Sequence, residues 1–332
     1  MDTLATEGGA AVEESRTLSL MVRQVRFEAL GINSYELVRP DGGELPAASA
    51  GSHLDVHLPG GVIRQYSLCN DPADRGRYLI AVLKETAGRG GSRLLHDLLQ
   101  VPNLVTVSLP RNNFALSAEA RHSVLVAGGI GITPLKAMAH ELASSGRSFE
   151  LHYCTRTPQH AAFGDELAAF GAARVRLHHD GGDPARGLDL AGLLRDHAPG
   201  THLYYCGPGG FMSACAAASA HWPAGSVHSE HFKAPAPLPS ATTDEAGAAG
   251  DGTFIVELAS SGLQVEVAPE RSIVEALADA GVEIETSCVS GLCGTCKVRY
   301  LAGTVDHRDY VLSGEEQSEY LTACVSRAVS GR

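Results

Sequence analysis

The stretch SCVSGLCGTC, residues 287–296, sets cysteines at 288, 293 and 296, and Cys324 follows downstream in LTACVSRA. Spacing of C-x4-C-x2-C with a distant fourth cysteine is the plant-type 2Fe-2S pattern, in which one loop supplies three thiolates and another element closes the site. Gly291 and Gly294 suit such a loop, which must turn tightly and bring backbone N–H groups to the sulfurs. Structural zinc is the alternative. Its knuckles are usually paired C-x2-C units, and here Cys293 and Cys296 form a single one. Upstream, TFIVEL and LQVEVA flank ASSG as a hairpin, and SIVEALADAG reads as a short helix that starts after Ser272 and stops at Gly281.

Working outward, the chain has 332 residues, enough for two or three domains at roughly 100–200 residues each. Its net charge of −12 is spread without a basic block, which removes the counterion-release term that nucleic-acid binding needs. The N-terminal MDTLATEGGAAVEESRTLSL lacks the basic start and apolar run of a signal peptide. No stretch approaches the ~18 uninterrupted apolar residues of a spanning helix. A cytoplasmic protein with no membrane partner is therefore expected. Of the eight cysteines, Cys69, Cys154, Cys206 and Cys215 are scattered without a disulfide framework, so in a reducing compartment the clustered four point to metal.

Composition divides the rest. Residues 1–117 carry strand-like runs (RQVRFEAL, SHLDVHL, RYLIAVL, NLVTVSL) between Gly, Pro and Asp turns, a pattern that predicts an antiparallel β-barrel. Residues 118–232 alternate apolar runs such as HSVLVAGG and THLYYCGP with Ala-rich helical stretches, which predicts an α/β domain with a parallel sheet. Residues 233–250, rich in Pro, Ala and Gly, read as a linker, and 251–332 form the cysteine-bearing domain. No internal repeat is visible.

Two further motifs carry chemistry. In RQYSLCN, Arg64 and Tyr66 share a strand face beside Ser67, a cation and an aromatic plane suited to a flat anionic cofactor; alone, the tetrapeptide also reads as an ordinary amphipathic strand. KETAGRGGSRLLHDLL, residues 84–99, begins at Lys84 and places Gly90, Gly91 and Ser92 just ahead of an apolar-periodic helix, where backbone N–H groups could take a phosphate or Ser92 could serve as a simple N-cap.

In the second segment VLVAGGIGITPLKAM, residues 124–138, reads as strand, turn and helix. Gly128, Gly129 and Gly131 allow close approach of a pyrophosphate, and Thr133 with Pro134 at the first helical position begins the helix. This is not the G-x-G-x-x-G fingerprint, and the next strand ends in Thr155 and Arg156 instead of an acidic residue. A second strand ends at Cys206, Gly207 and Pro208 before another helix.

These residues together resemble the phthalate dioxygenase reductase family, which includes vanillate demethylase reductases. SCVSGLCGTCKVRYLAGTVDHRDYVLSGEEQ and CVSRA are similar to its C-terminal ferredoxin domain, with DHRDYVLS, residues 306–313, as a signature between the third and fourth ligands. The resemblance implies an α+β β-grasp fold there, with Cys288, Cys293, Cys296 and Cys324 as cluster ligands. It also implies that Arg64, Tyr66 and Ser67 lie against an FMN whose phosphate meets Gly90, Gly91 and Ser92. FAD is the competitor, but no separate adenine-binding insertion is visible. The glycine turn and Cys206-Gly207-Pro208 would bind NAD(P)H; the resemblance favours NADH, while Arg156 leaves room for the 2′-phosphate of NADPH, and Phe232 in HSEHF would close that domain near the flavin.

The three cofactors belong together because NADH yields two electrons as a hydride while a plant-type cluster accepts one at a time. A flavin holds zero, one or two extra electrons and can bridge them, leaving binding, orientation and tuning to the protein. The expected function is an NADH-dependent reductase feeding a separate Rieske-type terminal oxygenase that acts on an aromatic acid, as a dioxygenase or O-demethylase, most simply as a monomer. A reductase for a cytochrome P450, or a redox sensor without turnover, are the alternatives. NADH-dependent cytochrome c reduction separates the sensor from the reductases.

Overall fold

The computed structural model describes residues 17–85, 90–234 and 252–329, so most of the expected linker lies outside the described residues. The first segment contains β1 (Thr17–Ala29), β2 (Ile32–Val38), β3 (Ser52–Leu58), β4 (Val62–Ser67), β5 (Tyr78–Leu83), α1 (Gly91–Leu98), β6 (Leu104–Ser108) and β7 (Arg111–Asn112). Its antiparallel sheet runs β4-β3-β6-β1-β2-β5, with β7 on β3. The two ends of that path meet at a Leu68–Ile80 bridge, beside the Cys69 N–H donating to the Leu79 carbonyl. Inward-facing Leu20, Val22, Leu37, Leu54, Val56 and Ile80 fill the core, as period-two patterning requires. β4 differs from its neighbours. None of its residues before Ser67 is fully buried, which leaves both of its faces accessible.

The second segment is built on β8 (His122–Gly128), β9 (Ser148–Thr155), β10 (Val175–His179), β11 (Thr201–Cys206) and β12 (Val227–Glu230), with α2 (Ile132–Ser144), α3 (Gly164–Ala168), α4 (Leu190–Leu193) and α5 (Gly209–Ala218). All five strands are parallel, in the order β10-β9-β8-β11-β12. The order reverses at β8, and in such sheets ligands bind outside the carboxyl ends at that switch point, here between β8 and β11.

The first two segments share a core: Ala29, Ile32, Cys69 and Phe114 pack with Leu125, Ile132, Met138 and Tyr204. At their junction the buried Lys136 ammonium donates to the Cys69 carbonyl at 2.9 Å, pairs with Glu166 at 2.7 Å and lies 4.7 Å over the Phe163 ring. A buried cation is tolerated only when so partnered.

The third segment has β13 (Phe254–Glu257), β14 (Gln264–Val267), α6 (Ile273–Asp279), β15 (Lys297–Arg299), β16 (Val305–Asp306), α7 (Gly314–Gln317), β17 (Tyr320–Thr322) and β18 (Arg327–Ala328). β13 pairs β14, β15 pairs β17 and β16 pairs β18, all antiparallel. Ser272 and Glu275 form a reciprocal capping box, so α6 starts where the sequence predicts, and Gly281 in the left-handed region follows its end. Its own core includes Phe254, Val267, Leu277 and Leu321, together with Cys296 and Cys324. Among the described residues no helix is long and apolar enough to cross a membrane.

Candidate functional site

Two helix starts differ from expectation. α1 begins at Gly91 with Gly90 as N-cap, left-handed at φ 85°, so Ser92 lies inside the helix instead of capping it. The Ser92 hydroxyl instead accepts the Glu85 N–H at 3.0 Å, pinning the two ends of this loop together. α2 begins at Ile132 after a 3-10 turn over Gly129–Gly131, which makes Pro134 the third helical residue, while Thr133 Oγ1 donates to the Ile130 carbonyl.

On one face of β4 the Arg64 guanidinium lies directly against Gly91, where a Cβ would overlap it. A cation and the N–H end of α1 thus converge on one point, the arrangement that attracts a phosphate. Tyr66 follows on the same face, its phenol pushed up by burial, against an opposing influence from Arg64. Lys84 is exposed just beyond β5, its backbone N–H bonded to the Gly31 carbonyl. Phe232 is exposed beyond β12, and the neighbouring Lys233 pairs with Glu85 at 2.7 Å, returning this turn to the loop held by Ser92.

At the switch point the two turns touch backbone to backbone. A Cβ on Gly131 would overlap the Cys206 carbonyl, and one on Gly207 would lie 2.6 Å from Phe211 and 3.1 Å from the Gly128 Cα. Gly129, at φ 54°, has open space beside it. Two of the three glycines in the first turn therefore serve close packing, and Phe211, which closes over Gly128 and Gly207 beside Pro208, escaped notice in the sequence. Cys206 is fully buried, and its thiol is raised well above the usual range by that burial.

Glu230 carries no motif signal in the sequence. It ends β12 beside Cys206, and its carboxylate accepts a hydrogen bond from Ser67 at 3.2 Å, joining the nucleotide sheet to β4. Burial raises this carboxyl from 4.5 to about 7. The sign of the linkage follows: a raised folded value means the folded state holds the proton more tightly, so stability falls as pH rises from about 4.5 to about 7. Glu230→Gln should flatten that slope in thermal melts over this window; an unchanged slope would assign it to another group.

The cysteine loop lies against the other face of β4. The thiols stand two by two, Cys288 hydrogen-bonded to Cys293 and Cys296 to Cys324. Backbone N–H groups aim at them, Leu292 to Cys288 at 3.3 Å and Thr295 to Cys293 at 3.5 Å. Bonding to Cys293, with help from Ser290 and the Leu292 N–H, lowers the Cys288 thiol from its usual value; Cys296 is lowered in the same way by Cys324. Gly291 (φ 71°) is wedged against Val325 and Asp309, and the Asp309 carboxylate accepts the Val311 and Leu312 N–H groups, so the DHRDYVLS stretch buttresses the loop. Val289 is left-handed too, at φ 49°, strained for a β-branched residue and half exposed.

This donor set fits a binuclear cluster. Paired thiols suit two irons, whereas one tetrahedral zinc would gather four ligands about one point. Among the described residues no three His, Cys, Asp or Glu side chains converge on a single ion.

A parallel sheet with a glycine turn at its switch point, joined to a four-cysteine module, defines an oxidoreductase with nicotinamide and iron-sulfur parts. Residues 125–217 match the oxidoreductase NAD-binding domain, and 256–329 match the 2Fe-2S iron-sulfur cluster binding domain. The chain belongs to the phthalate dioxygenase reductase family. A solved phthalate dioxygenase reductase is 42% identical, covers 96% of this chain and 97% of its own, and superposes with a TM-score of 0.71. The reductase subunit of tert-butanol monooxygenase / tert-amyl alcohol desaturase from Aquincola tertiaricarbonis is 54% identical over 94% of this chain and 93% of its own length. An intact type IV self-sufficient cytochrome P450 monooxygenase is 37% identical over 99% of this chain, which spans 42% of that longer protein, with a TM-score of 0.85. The first two of these relatives are named as reductases serving an oxygenase, the Aquincola protein as a reductase subunit.

Proposed function

We propose that the protein carries electrons from NADH through FMN and a 2Fe-2S cluster to a separate Rieske-type oxygenase, acting as a cytoplasmic monomer. Residues 1–117 would form the flavin barrel, 118–232 the nucleotide domain and 251–332 a β-grasp ferredoxin domain, with a linker at 233–250. Supporting it above all is β4, where four consecutive residues reach three sites. Arg64 and Tyr66 face the α1 loop, Gln65 reaches Ser287 beside Cys288, and Ser67 bonds Glu230 at the nucleotide crevice.

When bound, the flavin accepts a hydride from NADH and releases single electrons. The protein's part is placement. Arg64 and the N-terminus of α1 would hold the phosphate, Tyr66 would pack on the ring system, and Gly129 would leave room for the NADH pyrophosphate. Ser67 and Glu230 would hold a proton beside the flavin, and Cys288, Cys293, Cys296 and Cys324 would hold the cluster.

Acid release of the flavin should yield FMN, and recovery of FAD would overturn that assignment. Arg64→Ala should lose the flavin while keeping the cluster absorption; full flavin occupancy would remove Arg64 from the site. A second reading, delivery to a cytochrome P450, draws on the likeness to the self-sufficient P450 protein. Coupled turnover with a P450 and none with a Rieske oxygenase would favour it.

A further inference from the structure

We propose that Gln65 and Asn113 are positioning residues that latch the cysteine loop onto the flavin strand and thereby set the rate of electron transfer from flavin to cluster. The inference rests on the electron path just given and adds what holds its two ends together.

Gln65 lies between Arg64 and Tyr66 and, by strand alternation, points to the opposite face. Its amide donates to Asp55 at 3.0 Å and to Ser287 at 3.4 Å, and Ser287 immediately precedes Cys288. Arg111 fixes Asp55 from the other side. The Asn113 amide donates to the carbonyl of Cys293 at 3.0 Å. Two amides of the first segment therefore grip the loop on either side of Cys288, at residues 287 and 293.

Among the described residues, Asp55 also bonds Ser287, and from the second segment the His231 ring lies 5.4 Å from that of Tyr310. The first two segments share an apolar core, but the third keeps its own. Between the first and third lies a crevice of about 730 Å³, lined by Asp55, Arg111, Asn113, Thr286, Cys293 and Lys297. A polar boundary with a large gap moves by default, so its few hydrogen bonds decide how often the loop is seated. Seating matters because small misplacements of reacting groups cost large factors in rate.

NADH becomes NAD+, and its hydride leaves two electrons and a proton on the flavin. Each crossing moves one electron and reduces one ferric iron to ferrous. The external acceptor must take that electron before the second crosses, and the proton leaves as the flavin is reoxidised.

Anaerobic stopped-flow mixing with NADH tests the latch in the complete holoprotein. Gln65→Met with Asn113→Leu removes both donors at similar volume. Each lost hydrogen bond should lower the seated population about fivefold, so the cluster phase should slow by roughly 10- to 25-fold while the flavin phase is unchanged. Amide hydrogen exchange should rise at residues 287–296, a readout independent of turnover. Cluster reduction at the wild-type rate would overturn the latch. So would slowing matched by an equal loss in the flavin phase, or slowing accounted for by a shifted cluster potential. If NADH left the wild-type cluster oxidised, the electron path beneath the latch would fail instead.

Discussion

Cys293→Ala should abolish the cluster and with it every one-electron delivery to the oxygenase. Cys293 is buried, hydrogen-bonded to Cys288 and one of four thiols arranged in two pairs. Removing one ligand leaves an iron short of a thiolate, and a site that assembles around its metal does not survive that loss. Residues 17–234 should be untouched, because their cores contain no side chain of the third segment. NADH should therefore still bleach the flavin, and ferricyanide, which takes electrons from flavin directly, should still be reduced. Absorption spectra report the cluster, and paired ferricyanide and oxygenase assays divide the path. Oxygenase turnover that survived would make the flavin the exit point.

Gly131→Ala should be nearly as damaging, at the other end of the path. The new methyl meets the carbonyl of Cys206, at the end of a strand paired on both sides, by β8 and β12, which leaves the backbone little freedom to move aside. Overpacking against fixed backbone costs about 3 kcal/mol, which for a unit of this size lowers the melting temperature by roughly 10 °C. It would also push apart the turns after β8 and β11, and NADH-dependent flavin bleaching should fall with it. Gly129→Ala is the informative control. That position has open space but φ 54°, so its cost is the left-handed penalty alone, about 1–2 kcal/mol. Equal destabilisation by the two would mean that backbone conformation, not the contact with Cys206, explains Gly131.

Much of this was legible in the sequence because local rules govern it. The strands and helices from His122 to Glu230 follow from apolar runs alternating with Ala-rich stretches, and the 2Fe-2S domain match at 256–329 agrees with the cysteine spacing. Helix α6 starts at Ser272 because a capping box lies wholly within four residues. What the sequence hid is long-range. Glu230 meets Ser67 across 163 positions, and Gln65 meets Ser287 across 222. No periodicity encodes such pairs. Strand β2 (INSYELV) went unnoticed because buried polar residues such as Ser34 and Glu36 interrupt its apolar pattern. The placement of Pro134 failed for a local reason: the 3-10 turn over Gly129–Gly131 lets the helix begin earlier than a proline at its first position would imply.

The central claim is that electrons reach the cluster only by way of the flavin. The most direct measurement compares cluster reduction by NADH, followed anaerobically by the cluster's absorption and EPR signal, in the holoprotein and in flavin-free Arg64→Ala protein that keeps its cluster. Passage through the flavin predicts rapid cluster reduction in the first and none in the second, with restoration when FMN is added at high concentration. Cluster reduction at the wild-type rate in the flavin-free protein would contradict it.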